Sequence, residues 1–197
     1  MLDPFYLIVD SNHWLRRLLP QGVKLVQLRA KNLTDAQAYA EIADAKALCT
    51  RYGAQLVVND YWQAALDLGC DYVHLGQEDL ETADVAALKK AGIKLGLSTH
   101  NEAELFRALE FSPDYIALGP IYPTILKKMP WAPQGLEKIT LWKQKIGTIP
   151  LIAIGGFTLE RASGAFTAGA DSVAVVTDVT LNADPEQRVR DWLAITH

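Results

Sequence analysis

The sequence has little cysteine, no long hydrophobic run and no excess of positive charge. Its two cysteines, Cys49 and Cys70, are too few for a disulfide framework and lack metal-site spacing, so we expect buried thiols in a reducing compartment. No apolar run reaches the length of a membrane span, and the first residues lack the basic-then-apolar order of a secretory signal, which predicts a cytoplasmic protein. A formal net charge of −4 argues against nucleic acid or a membrane surface as a partner. Any anionic ligand must therefore be bound by a local cluster of cations and backbone N–H groups.

Short runs rich in Val, Ile, Leu and Tyr recur along the chain, with helical patterns between them. Each unit has about 24 residues, which fits a strand, a short loop and a helix of ~10–12 residues. Runs such as Leu151–Ile154 are apolar without alternation, as in parallel strands covered on both faces. The pattern predicts one domain over residues 1–197 with an α/β fold, a parallel eight-stranded (β/α)8 TIM barrel. The predicted strands are Phe5–Val9, Lys24–Leu28, Gln55–Val58, Tyr72–His74, Lys94–Leu97, Tyr115–Leu118, Leu151–Ile154 and Ser172–Val176.

An open, doubly wound sheet also alternates strands and helices. However, no G-x-G-x-x-G follows the first strand and no G-x-x-x-x-G-K-[ST] occurs in the sequence, whereas polar residues follow the strands, as in barrel enzymes. Helix starts are also marked. Thr34 with Gln37, and Thr99 with Glu102, predict capping boxes, and Asp184–Pro185 predicts the start of the last helix.

Charged residues follow the second, third and fourth strands. Arg29 and Lys31 are two apart, so both project from one side of an extended segment, where two cations suit a phosphate or diphosphate; ordinary surface charge is the alternative. Asp60 and Asp79 follow neighbouring strands, and two carboxylates plus phosphate oxygens and waters are what Mg2+ usually accepts. The alternative for these two residues is helix capping.

Polar and flexible segments follow the remaining strands. The hydroxyl groups of Ser98-Thr99-His100 suit a phosphate at a helix start. His100 has no visible orienting partner and is expected to be structural, and His74 is expected to be packed and hydrogen-bonded. The long loop Gly119–Gly135 contains lysines and predicts a lid over an anionic substrate. Gly155–Gly156 and Thr177 lie where barrels frequently bind phosphate.

Together these strand ends resemble the thiamine-phosphate synthase family over nearly the whole chain. The order of V-H-L-G-Q-E-D, S-T-H and the sixth-loop pattern makes the resemblance specific. The matching segments are Q-L-R-A-K (27–31), N-D-Y-W (59–62), V-H-L-G-Q-E-D-L (73–80), G-L-S-T-H (96–100), G-P-I-Y-P-T (119–124), A-P-Q-G-L (132–136), A-I-G-G (153–156) and A-V-V-T (174–177).

The resemblance implies a transferase of thiamine biosynthesis that condenses hydroxymethylpyrimidine diphosphate with hydroxyethylthiazole phosphate. In the family's mechanism, diphosphate leaves first, and the thiazole nitrogen then attacks a pyrimidine-stabilised carbocation. By resemblance, Arg29, Lys31, Ser98 and Lys127 are catalytic, and Asp60 and Asp79 hold one Mg2+ per active site. The pyrimidine diphosphate would contact Gln27, Arg29, Lys31, Asn59, Ser98, Thr124 and Lys127, and the thiazole phosphate would contact Thr124, Gly156, Val176 and Thr177.

Three positions depart from the family pattern. Leu126 replaces a Thr whose hydrogen bond to a charged group would contribute ~1.5–3 kcal/mol, or roughly tenfold to hundredfold in affinity. Ala30 stands where Glu is common. Asp178 stands where a small neutral residue is usual, and it would repel the thiazole phosphate unless strand alternation turns it away. Two alternatives stay open: a thiazole tautomerase-like paralogue that uses His100, and a non-catalytic barrel that binds phosphorylated ligands. A homodimer is a hypothesis for the assembly.

Overall fold

The computed structural model describes residues 2–125 and 132–197. Eight parallel strands form a closed barrel in chain order, and the first strand pairs with both the second and the eighth. Helices connect the strands, which confirms the predicted (β/α)8 barrel. No helix in this part of the chain is long and apolar enough to cross a membrane. The strands are β1 Phe5–Val9, β2 Leu25–Leu28, β3 Gln55–Asn59, β4 Tyr72–Leu75, β5 Lys94–Thr99, β6 Tyr115–Leu118, β7 Leu151–Ile154 and β8 Ser172–Val175.

The helices form the outer layer and bury one face each against the strands. A 3-10 turn at Leu19–Gln21 follows the first helix, and another at Asp79–Glu81 follows β4. The α-helices are α1 Asn12–Leu18, α2 Asp35–Tyr52, α3 Trp62–Asp67, α4 Val85–Lys90, α5 Glu102–Glu110, α6 Gly135–Ile146, α7 Leu159–Thr167, α8 Thr177–Thr180 and α9 Pro185–Thr196.

One of the two predicted capping boxes is confirmed and the other is wrong. Thr34 and Gln37 form a complete capping box at the start of α2. Thr99 instead belongs to β5, where its buried hydroxyl donates to the Ala117 carbonyl at 3.0 Å and accepts from Trp142 Nε1 at 2.9 Å. Asn101 caps α5, with its side chain accepting from the Glu104 N–H at 2.9 Å. The strand therefore continues to Thr99 because tertiary hydrogen bonds use its hydroxyl.

The closed barrel separates two apolar layers. The layer between strands and helices is mainly aliphatic and includes the free, buried thiols of Cys49 and Cys70, which confirms their predicted burial. The interior of the barrel contains three tyrosines, Tyr6, Tyr72 and Tyr115. Tyrosine brings hydroxyl groups into this interior, and buried hydroxyls require hydrogen-bond partners.

The helix α9 closes the seam between the first and last strands. The Trp192 ring stacks on Phe5 of β1 with 5.5 Å between ring centroids. Asp184 caps α9 by accepting from the Gln187 N–H at 2.9 Å, which confirms the predicted helix start at Asp184–Pro185. The seam therefore depends on residues from both ends of the chain.

Candidate active site

A cluster of one lysine and two aspartates lies at the carboxyl ends of β2, β3 and β4. Lys31 Nζ forms an ion pair with Asp60. The Asp60 N–H donates to the His74 carbonyl at 3.0 Å, and the backbone of Asp60 has a φ of 65°, a left-handed conformation that Asp and Asn tolerate better than most residues. Asp79 accepts a hydrogen bond from the Gly76 N–H at 2.9 Å. These backbone contacts fix both carboxylates at the mouth of the barrel.

The Asp60 carboxylate is close enough to Asp79 to affect the ionisation of Asp79. Burial raises the pKa of Asp79 above its ordinary value; the N–H of Gly76 opposes this shift, and the neighbouring Asp60 carboxylate raises the pKa further. Lys31 offsets part of the repulsion. A pair of crowded carboxylates favours a cation between them, because like charges at short range disfavour joint ionisation. The residues therefore fit a divalent cation.

Helix capping does not account for either aspartate. Tyr61, not Asp60, occupies the N-cap of α3 and makes no side-chain cap there. Glu78 precedes the 3-10 turn that begins at Asp79, and Asp84 caps α4. Among the residues that the structure describes, no group of three or more His, Cys, Asp or Glu side chains could hold a metal. An ion held by Asp60 and Asp79 would take its remaining ligands from water and phosphate oxygens, as Mg2+ usually does.

Two amide side chains beside this cluster have unused hydrogen-bonding atoms. Asn59 is only 4% exposed, and its buried Nδ2 has no partner in the described part of the chain. The buried Oε1 of Gln77 also has no partner there, although Gln77 Nε2 donates to the Ser98 carbonyl at 2.8 Å. Buried polar atoms are normally paired, so these atoms indicate a place for a polar ligand. Gln77 is not among the predicted site residues, although it lies within V-H-L-G-Q-E-D.

A chain of buried hydrogen bonds runs from β2 to the end of β5. Gln27 Nε2 donates to the Tyr6 hydroxyl at 2.9 Å, and the hydroxyls of Tyr6 and Tyr115 are 3.0 Å apart. The Tyr115 hydroxyl is 2.8 Å from His74 Nδ1, and His74 Nε2 is 2.8 Å from Ser98 Oγ. The prediction that His74 is packed and hydrogen-bonded is confirmed. Ser98, a predicted substrate contact, lies at the outer end of this chain.

The charges at the mouth surround His74. Burial lowers the pKa of His74 to about 4, Asp60 opposes this shift, and Arg29 and Lys31 lower the pKa further. Both cations therefore lie close enough to His74 to act on its charge. At neutral pH the imidazole is therefore uncharged.

The predicted thiazole-phosphate residues lie on the opposite side of the mouth. Gly156 has a φ of 66°, and a Cβ atom there would lie 2.3 Å from the Pro123 carbonyl oxygen. Only glycine therefore allows the loop after β7 to pack against Pro123, which precedes Thr124. Val176 precedes α8 and Thr177 begins it. Leu126 and Lys127 lie outside the described residues.

The side chain of Asp178 turns away from the mouth. Its two carboxylate oxygens each accept a hydrogen bond at 2.9 Å from the guanidinium of Arg188, and Trp192 Nε1 donates to one of them at 2.8 Å. The Asp178 side chain is only 9% exposed. Its charge is therefore compensated within the fold. Asp178 lies in α8 and not on a strand, so the expected strand alternation is not the reason that it turns away. Ala30, another departure from the family pattern, packs in the outer apolar layer.

His100 has an orienting partner, contrary to the expectation from sequence. Its Nδ1 is 2.7 Å from Glu104 Oε2, and its backbone N–H donates to the same oxygen at 2.8 Å. Glu104 lies four residues further along, in the first turns of α5. Glu104 therefore ties His100 to the start of this helix.

A closed parallel barrel with ionic side chains at the carboxyl ends of its strands defines the class of (β/α)8-barrel enzymes. A family model described as thiamine monophosphate synthase matches residues 5–179. The chain belongs to this family. This match and the named relatives confirm the predicted family. They also confirm the predicted thiamine-phosphate synthase activity, which is a transferase activity of thiamine biosynthesis.

The similarity extends over nearly the full chain. A thiamine-phosphate synthase from Rhizobium etli is 59% identical over 195 residues, which cover 99% of this chain and 96% of that protein. A thiamine-phosphate synthase from an Enterobacter species is 49% identical over 179 residues, with 91% and 85% covered. Among solved structures, a thiamine phosphate pyrophosphorylase from Pyrococcus furiosus has a TM-score of 0.86 at 26% identity, with 98% of this chain and 94% of that chain covered.

Proposed function

We propose that the mouth of this barrel joins hydroxymethylpyrimidine diphosphate to hydroxyethylthiazole phosphate, with the diphosphate bound on the β2–β5 side. The observation that carries this assignment is the cluster of Lys31, Asp60 and Asp79 beside the unpaired amide of Asn59. The cluster offers cationic, metal-binding and hydrogen-bond-donating groups within one region. A diphosphate requires all three, because it carries several negative charges on adjacent oxygens.

The leaving diphosphate is held by residues from several strand ends. Arg29 and Lys31 attract its charge, and Asn59 and Ser98 donate hydrogen bonds to its oxygens. Thr124 and Lys127 from the sixth loop complete this part of the site, and Gln27 contributes from the barrel interior. When bound by Asp60 and Asp79, Mg2+ would neutralise charge that develops on the leaving oxygens.

The reaction requires no nucleophilic side chain. The bond between the pyrimidine methylene carbon and the diphosphate oxygen breaks, and its electron pair leaves with the diphosphate. The lone pair of the thiazole nitrogen then forms the new carbon–nitrogen bond. Stabilising the leaving charge is the main task of the protein groups, and Thr124, Gly156, Val176 and Thr177 bind the thiazole phosphate and orient the ring.

The activity itself is tested by incubating the purified protein with both phosphorylated substrates and Mg2+. We expect thiamine phosphate and diphosphate in equal amounts. Absence of product at saturating concentrations of both substrates would overturn the assignment. The expected cytoplasmic location, single domain and homodimer stay predictions, and light scattering during size-exclusion chromatography tests the homodimer.

The metal assignment is tested with Asp60→Asn. Asparagine tolerates the left-handed backbone of position 60, so this variant removes the charge without the strain that alanine would add. Loss of a residue that only hydrogen-bonds to a metal ligand typically weakens metal binding roughly 10–100-fold, and loss of a ligand itself should weaken it at least as much. The Mg2+ concentration for half-maximal rate should therefore rise at least tenfold. The matched control is Asp67→Asn, which alters an exposed carboxylate on α3. An unchanged Mg2+ titration in Asp60→Asn would remove this residue from the metal site.

A further inference from the structure

The hydrogen-bond chain in the barrel interior has a direction that follows from counting protons. A phenol hydroxyl has one proton to donate, whereas its oxygen can accept hydrogen bonds. The Tyr6 oxygen accepts from Gln27 Nε2 at 2.9 Å, and the only other partner of this hydroxyl among residues 2–125 and 132–197 is the Tyr115 hydroxyl at 3.0 Å. With the amide nitrogen of Gln27 facing Tyr6, Tyr6 donates its proton to Tyr115, because the opposite direction would leave a buried O–H group without an acceptor.

The same count continues to the mouth of the barrel. The Tyr115 oxygen accepts from Tyr6, so the Tyr115 proton goes to its second neighbour, His74 Nδ1, at 2.8 Å. A neutral imidazole that accepts at Nδ1 carries its proton on Nε2. His74 Nε2 then donates to Ser98 Oγ at 2.8 Å, which leaves the Ser98 proton available for a ligand.

We propose that Tyr115 and His74 are positioning residues, which fix the Nε2–H tautomer of His74 so that Ser98 donates its hydroxyl proton to the leaving diphosphate. The inference rests on the proposed function, in which Ser98 contacts the diphosphate. In the reverse direction, Ser98 would donate to His74 and present only an oxygen lone pair to a negatively charged group. The direction of the chain therefore decides whether Ser98 attracts or repels the leaving group.

The geometry of the barrel supports a fixed direction. The His74 and Tyr115 rings are stacked, with centroids 5.6 Å apart and planes inclined by 15°. Gly96 lies between these two residues in the sheet register, and its missing side chain leaves the space that the Tyr115 ring occupies. Because Tyr115 donates to Nδ1, that nitrogen carries no proton, and this geometry corresponds to a neutral imidazole. A donor that is oriented before the reaction requires no reorganisation when charge develops on the leaving oxygens.

The direct test is the tautomer of His74 in the folded wild-type protein without substrate. Long-range proton–nitrogen NMR correlation of isotope-labelled protein distinguishes the two neutral tautomers, and the signal of His74 is assigned by its loss in His74→Gln. We expect the Nε2–H tautomer. The Nδ1–H tautomer would overturn the inference whether or not the protein is active. Conversely, an inactive protein with the Nε2–H tautomer would refute the proposed function and leave the direction of the chain standing.

The functional consequence is tested with Tyr115→Phe, which removes the donor to His74 Nδ1 and keeps the ring. We expect a mixture of His74 tautomers and a fall in kcat of roughly tenfold to hundredfold, below the 10²–10³ loss for removing a direct oxyanion donor. KM for the thiazole phosphate should be unchanged. The matched control is Tyr72→Phe, because the Tyr72 ring lies 5.8 Å from that of Tyr115 and its hydroxyl is outside the chain. Wild-type kcat in a folded Tyr115→Phe variant would contradict the positioning role, and so would an equal loss of kcat in Tyr72→Phe. If Tyr115→Phe does not fold, the tautomer of His74 in the wild-type protein decides whether the inference stands.

Discussion

Replacement of Gly96 by alanine would place a methyl group inside the ring of Tyr115. The added Cβ atom would lie 1.9 Å from Cζ of this ring and 2.4 Å from both Cε atoms. Tyr115 is fully buried, so the ring cannot move aside into solvent. Either the ring leaves its position, or β5 and β6 shift apart.

The magnitude follows from two separate costs. Overpacking of a well-packed core costs typically about 1–3 kcal/mol. Displacement of the ring also breaks the contacts of its hydroxyl with Tyr6 and His74, and a buried polar group left unpaired costs about 1–3 kcal/mol. We therefore expect Gly96→Ala to lower the free energy of unfolding by about 2–6 kcal/mol, a large part of the ~5–15 kcal/mol typical of folded proteins.

Urea unfolding followed by circular dichroism measures this loss. With a slope of about 2 kcal/mol per molar urea, the midpoint should fall by roughly 2 M. The control is Gly164→Ala on α7. The new Cβ would meet only the end of the flexible Leu136 side chain at 2.9 Å, and the intrinsic helix propensity would improve by about 1 kcal/mol. A Gly96→Ala protein within about 1 kcal/mol of wild type would refute the idea that the glycine makes room for the tyrosine.

Two further predictions concern buried groups outside the mouth. Asp178→Ala should lower the free energy of unfolding by about 2–4 kcal/mol, because it leaves the charge of Arg188 without its partner and the Arg188 side chain is only 19% exposed. The control is Glu81→Ala, which breaks the exposed pair of Glu81 and Arg107. Measured by the same urea titration, this control should lower the free energy of unfolding by less than about 1 kcal/mol. The Cys49 thiol should react with a disulfide reagent at pH 8 only after unfolding, since burial raises its pKa to about 12 and reactivity requires the thiolate. Rapid reaction of Cys49 in the native protein would contradict that assignment.

The strand positions were predictable because parallel strands buried on both faces are continuous apolar runs. Phe5–Val9, Tyr115–Leu118 and Leu151–Ile154 have the predicted bounds, and the other strands differ from theirs by one or two residues. Barrel closure then brings residues that follow different strands to one mouth, so the proximity of Lys31 and Asp60 follows from topology alone.

Other features depend on contacts between distant parts of the chain and have no local signal. Thr99 has the sequence pattern of a helix cap, but tertiary hydrogen bonds from Trp142 and to Ala117 outweigh this preference. Tyr6 and Tyr115 are ordinary strand residues by sequence, and only the closed barrel brings their hydroxyls together across 109 positions. The polar chain that leads to Ser98 was therefore not predicted, although its last member was.

The pairing of β1 with β8 also determines when the fold can be completed during synthesis. Phe5 lies opposite Val173 in the register, so the first strand must wait for nearly the whole chain before its second edge is paired. Until then the growing sheet has two open edges, which are prone to pair with other chains. Contacts between such distant residues also form slowly. A chaperone that meets this protein on the ribosome would therefore encounter a curved, open sheet, and the emergence of β8 would be the event that ends the exposure of its edges.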